Sequence, residues 1–135
     1  MKPDIKKPQI TLTILKEDVG YTAFGKWKDI NLLTCGDDWE ELQRMIIEMV
    51  DLSFEDYGFT FTIDEIRFEY DLESFFAFYK VINVKALSDR IGMNPSLLSQ
   101  YTNGIKKPSA KQVNRILKGV QQIGRELADA RFLIR

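Results

Sequence analysis

The sequence predicts an α+β chain. A small sheet-and-helix part occupies residues 1–68, and an all-α part built on two short helices and a long one occupies 69–135. Three observations carry this. Apolar and polar residues alternate over 10–14 and 21–27, the two-residue period of half-buried strands. Residues 83–104, NVKALSDRIGMNPSLLSQYTNG, read as helix, tight turn and helix. The charge also divides. Residues 1–82 hold nine Lys/Arg against seventeen Asp/Glu, a net of −8, whereas 83–135 hold ten against three, a net of +7.

In the first part, Ile10, Leu12 and Ile14 alternate with Thr11 and Thr13, and residues 17–20 break the pattern as a turn. Tyr21, Ala23, Gly25 and Trp27 mark a second strand, and a third short strand is expected around 32–35. A helix is expected from Asp37, with Asp37 and Glu40 as a capping box. Its apolar stripe is Trp39, Leu42, Ile46, Met49 and Val50, fraying near Phe54. Phe59, Phe61 and Ile63 alternate with Thr60 and Thr62 as a further strand, followed by one through Ile66, Phe68 and Tyr70. The join over 64–79 has no Pro/Gly/Ser linker, so the two parts are expected to be closely coupled. Asp71 can cap a helix bearing Leu72, Phe75, Phe76 and Tyr79. The aromatic residues there are expected to fill the helical core and the seam between the parts, with Phe78 as a candidate partner-facing residue.

In the second part, Asn83 can accept a hydrogen bond from a free helix N–H, and Val84, Leu87 and Ile91 form one stripe. Gly92 suits a left-handed C-cap. Asn94 is a good N-cap and Pro95 suits the first helical position, where a missing N–H removes nothing. Leu97, Leu98 and Tyr101 point inward, leaving Asn94, Ser96, Ser99, Gln100 and Asn103 outward. Short polar side chains on a groove-inserted helix can reach base edges. Lys85, Arg90, Lys106, Lys107 and Lys111 lie on the flanks, where cations suit phosphates. Ser109 and Gln112 begin a last helix. Its stripe of Val113, Ile116, Leu117, Val120, Ile123 and Leu127 runs to about Arg131, long enough to serve dimerisation or to pack back on the first part.

Composition removes several function classes. The chain has no histidine, so histidine-based acid–base catalysis and most zinc sites lose their usual component. Cys35 is the one cysteine, which allows no internal disulfide and fits a reducing cytoplasm. Asp37, Asp38, Glu40 and Glu41 are close in sequence, but acidic residues at a helix start serve the helix first. We expect no enzyme activity, no cofactor and no metal. There is no run of 18 apolar residues, and the N-terminus lacks the apolar core of a signal peptide.

Two family resemblances extend this reading. Residues 87–101 resemble the helix-turn-helix of the Xre/Cro repressor family. Leu87-Ser88 stand for its Leu-Ala pair, Gly92 for its turn glycine, and Leu98 and Tyr101 for its buried recognition-helix positions. Residues 10–54 resemble the HicB antitoxin fold, a truncated RNase H-like domain. The matching features are the apolar strand, Gly20-Tyr21-Thr22-Ala23, and Thr34-Cys35-Gly36-Asp37 leading into Glu40-Glu41-Leu42. The Pro-Gly loop of that family is replaced here by residues 28–33. The resemblance implies a cytoplasmic, homo-oligomeric antitoxin and transcription regulator. It would bind double-stranded DNA at its own operon and sequester a small basic HicA-like ribonuclease toxin. The rival readings are a stand-alone Xre-type regulator, a protein-interaction module without DNA binding, and an RNase H-like enzyme. No set of carboxylates spaced across different strands supports the last.

Overall fold

The computed structural model describes residues 5–134. It is mixed α+β. Strands β1 (Ile10–Lys16), β2 (Tyr21–Trp27) and β3 (Ile30–Gly36) are followed by helix α1 (Trp39–Ser53). Strand β4 (Ile66–Tyr70) and helix α2 (Leu72–Phe78) come next, and then α3 (Val84–Ile91), α4 (Pro95–Thr102) and α5 (Ala110–Asp129). Contacts divide the chain into two compact units, one ending at Phe78 and one beginning at Tyr79.

The first unit is a four-stranded sheet of order β3-β2-β1-β4. β1 to β3 form an antiparallel meander, with Ile14 opposite Ala23 and Phe24 opposite Leu33. β4 runs parallel to β1, pairing Leu12 with Phe68. Parallel neighbours need a crossover, and α1 with the segment after it supplies one. Leu42, Ile46 and Val50 recur on one face of α1 and are fully buried with Leu12, Ala23 and Phe54. Burying each of the large side chains contributes roughly 1.5–3 kcal/mol.

Three expectations need correction here. The helix begins one residue later than expected. Asp38 is its N-cap, accepting from Glu41 N at 2.8 Å, while Glu41 Oε2 accepts from Asp37 N at 3.3 Å. The cap is therefore Asp38 rather than Asp37, and Glu41 reaches back to the N–H before the cap rather than closing a reciprocal box, because the chain turns out of β3 through Gly36 and Asp37. Residues 59–62 form no strand, although they alternate. Phe61 N donates to Asp51 Oδ1 at 2.8 Å and Phe59 N to Phe54 O at 3.4 Å, so these donors are used by side chain and turn. The alternation arises because Phe61 is buried among aromatic neighbours, with its ring centroid 5.5 Å from Phe54. Ile63 belongs to a single 3₁₀ turn, Ile63–Glu65, with Thr62 and Glu65 as its capping box.

The sequence reading divides the chain after residue 68, but β4 and α2 belong with the sheet. Asp71 N donates to Ile14 O at 2.9 Å, and Lys16 N to Ser74 Oγ at 3.0 Å. Asp71 caps α2 as expected, accepting from Ser74 N at 2.8 Å. The Lys16 ammonium lies 3.9 Å from the centroid of the Phe78 ring.

In the second unit, α3 starts at Asn83, whose Oδ1 accepts from Ala86 N at 2.9 Å. It stops at Gly92, which takes φ +68°, a conformation glycine adopts without strain. Leu87, Leu98 and Ile116, each at 1% exposure or less, make the centre of this unit with Met93, Tyr101 and Val113. α5 packs on α3. Gly119 permits the approach, because a Cβ there would press on Ile91 Cγ2. No helix among the described residues is long and apolar enough to cross a membrane.

Candidate nucleic-acid interface

The sequence assigns ten residues to a DNA surface, and all ten lie in the second unit. That unit carries eleven Lys/Arg against three Asp/Glu, a net of +8, while the first carries eight against seventeen, a net of −9. The net positive charge therefore lies on the unit that holds α4.

α4 is set by local chemistry. Asn94 Oδ1 accepts from Ser96 N at 2.8 Å and Leu97 N at 3.2 Å, and Pro95 occupies the first turn. Leu98 and Tyr101 are buried, which fixes which face points out. On that outer face Ser96, Gln100 and Asn103 are exposed with Asn94, and Ser99 is half-buried. The helix carries no ionisable group except the buried Tyr101.

The five polar side chains are not equivalent. The Asn94 carbonyl oxygen is engaged as a cap, which leaves it unable to pair bidentately with an adenine while it caps. Asn103 Nδ2 donates to Ser99 Oγ at 3.2 Å, so these two hold each other. Ser96 and Gln100 present side chains that bond to no other described residue. At the far end, Gln100 O accepts from both Ile105 N at 2.9 Å and Lys106 N at 3.2 Å, which anchors the segment carrying Lys106 to the end of α4.

The cationic residues also differ. Lys85 lines an open groove of about 410 Å³ together with Val84, Pro95, Ser96 and Ser99, beside the start of α4. Lys106, Lys107 and Lys111 are exposed in the segment between α4 and the first turn of α5. Arg90 is turned the other way, ion-paired with Glu126 of α5. That hydrogen bond and charge hold the Glu126 carboxyl below the usual carboxylate range and raise the Arg90 guanidinium above its ordinary value.

One residue escapes sequence reasoning. Arg115 on α5 donates from one nitrogen to Ile91 O and Gly92 O, both at 2.7 Å. These carbonyls close the C-terminus of α3, where a cation is favoured by the helix dipole. Arg115 therefore positions the turn between α3 and α4. The signal that could have found it is weak, since nothing local links a residue in the second turn of α5 to a glycine 23 positions earlier.

Elsewhere the chemistry is sparse. Cys35 is an exposed thiol on β3. Asp38 and Glu41 serve the start of α1, and among the described residues no three Cys, Asp or Glu converge to hold a metal ion. No protein-family model, no curated protein and no solved structure matches this chain.

Proposed function

We propose that this chain is a DNA-binding transcription regulator in which α3 and α4 form a helix-turn-helix and α4 enters the major groove. The observation that carries the reading is the outer face of α4. It is polar and uncharged, its Ser96 and Gln100 side chains bond to no other described residue, and lysines stand at both ends. An uncharged reading helix between cations divides the work as DNA recognition does, with phosphates positioning and bases specifying. In this reading Gln100 is the principal base reader, since its amide can pair bidentately with adenine. Ser96 reads beside it. Asn94, Ser99 and Asn103 contribute mainly by fixing the helix ends. Lys85, Lys106, Lys107 and Lys111 hold phosphates, and Arg90 joins them only if it leaves Glu126. The regulator works as a homodimer whose two α4 helices enter successive grooves about 34 Å apart.

A gel shift against DNA upstream of its own gene tests this. Gln100→Ala is expected to weaken binding to the cognate site by about 1–3 kcal/mol, roughly 5- to 150-fold, with little effect on random DNA. An unchanged ratio of cognate to random affinity removes Gln100 from its role. Absence of any shift favours the protein-interaction module.

The net charge of −9 on the first unit favours a second element of the proposal, an antitoxin that binds a small basic HicA-like toxin. A three-stranded meander extended by one parallel strand, with a single long helix, supports the HicB-like part of this reading. A short basic protein encoded beside this gene is expected to form a complex whose affinity falls as salt rises. If the neighbouring gene encodes no such protein, or its product does not bind, the stand-alone regulator is the better description.

A further inference from the structure

The apolar stripe of α5 outruns the core it serves. Val113, Ile116 and Gly119 are buried, but Val120 and Ile123 are only half-buried and Leu127 is 70% exposed. The turn that follows, Ala130–Leu133, and the residue after it add Phe132 at 74%, Leu133 at 72% and Ile134 at 81% exposure. At roughly 150 Å² per large apolar side chain, these four exposed residues present on the order of 450 Å². A standard protein interface buries about 800 Å² per partner, of which about 57–65% is apolar. The exposed area thus matches the apolar share of one half-interface and reaches the size of the largest, often functional, apolar patch of a monomer, about 300–600 Å².

Charge decides the occupant. Residues 79–119 carry eight Lys/Arg against Asp89, a net of +7. Residues 120–134 carry Arg125 and Arg131 against Glu126 and Asp129, a net of zero. An acidic protein or a nucleic acid is drawn to the first stretch. Two copies of this chain repel through the first stretch and meet without repulsion through the second. A surface with exposed apolar side chains and charges that balance to zero can also be complementary to itself, as a two-fold interface requires.

We propose that residues 120–134 are the surface through which the chain pairs with a second copy of itself. Its use on DNA rests on the reading above, but the pairing itself does not. It places the two-fold axis at the end of α5 away from α4 and the lysines, which leaves both α4 faces open.

Sedimentation equilibrium of the full chain, without DNA, tests the proposal. The wild-type chain is expected to be dimeric at about 100 µM, well above a micromolar dissociation constant. Leu127→Asp with Leu133→Asp is expected to weaken the dimer roughly 100-fold or more. Phe132→Ser with Ile134→Ser lies beyond α5 and is expected to act in the same direction while far-UV circular dichroism stays unchanged. Leu33→Asp, at a 67% exposed position on β3, is expected to leave the dimer intact. A monomeric wild-type chain overturns the proposal, as do both double variants pairing as tightly as wild type. Because no DNA is present, a negative gel shift would leave this result standing, and a monomer that still reads its site would leave the DNA reading standing.

Discussion

Replacing Gly36 with alanine is expected to destabilise the first unit by about 3 kcal/mol, at the upper end of overpacking effects. The added Cβ would lie 2.6 Å from Leu42 N, 2.8 Å from Leu42 Cα and 3.1 Å from Glu41 C. All three are backbone atoms of α1, so no side chain can rotate out of the way. The helix must lift from β3, which loosens the burial of Leu42, Ile46 and Val50, each fully buried. Urea unfolding of the full chain measures the change, read through the fluorescence of Trp27 and Trp39 in the first unit. An unchanged midpoint would mean that β3 and α1 do not approach this closely. The Thr34-Cys35-Gly36-Asp37 stretch thereby has a packing explanation for its glycine: only a residue without Cβ lets the strand end pass under the first turn of α1.

The second large effect concerns the lysines. Replacing Lys85, Lys106, Lys107 and Lys111 together with glutamine is expected to lower affinity for every DNA sequence by about 10³-fold near 0.1 M salt. Each phosphate contact releases counterions and contributes about 0.9 to the slope of log affinity against log salt, so the slope should fall by about 3.6. Specificity should change little, because phosphate contacts carry no sequence information directly. Titrations at several salt concentrations on cognate and random duplexes separate this from the Gln100→Ala result. Selective loss on the cognate site alone would mean that these lysines read bases, against their assignment. An unaltered slope would mean that they lie away from the DNA.

The two results divide along the two units, and so does what could be read in the chain beforehand. The helices of the second unit start where their caps stand, at Asn83, Asn94 and Ser109, each accepting from an N–H two or three residues ahead. Their buried faces follow from the spacing of Leu87, Leu98, Tyr101, Val113 and Ile116. The outward set on α4 is equally legible, because it is the complement of the inward one. The grading within that set is not. That Asn94 is spent on capping and that Asn103 holds Ser99 depends on side-chain geometry, which residue type alone leaves open. The orientation of Arg90 towards Glu126, thirty-six residues away, is beyond any local pattern.

The first unit shows the opposite failure. Phe59, Phe61 and Ile63 alternate as a strand would, yet the chain there folds into a loop and a 3₁₀ turn that send Phe61 into the core. Two-residue periodicity reports which side chains are buried. It does not report whether a neighbouring strand is present to take the backbone hydrogen bonds.

By itself the sequence determined the capped starts of α3, α4 and α5, the first three strands, the left-handed turn at Gly92, the polar outer face of α4 and the division of charge. These depend on groups within a few residues of one another, where hydrogen-bond reach and side-chain period suffice. Only the tertiary structure decided that β4 lies parallel to β1, that α2 belongs with the sheet, and that Arg115 closes the end of α3. It also decided that the stripe of α5 continues past its core into solvent. Each of these depends on which distant segment arrives beside a given residue, and that is settled by the packing of the whole unit rather than by any stretch of chain within it.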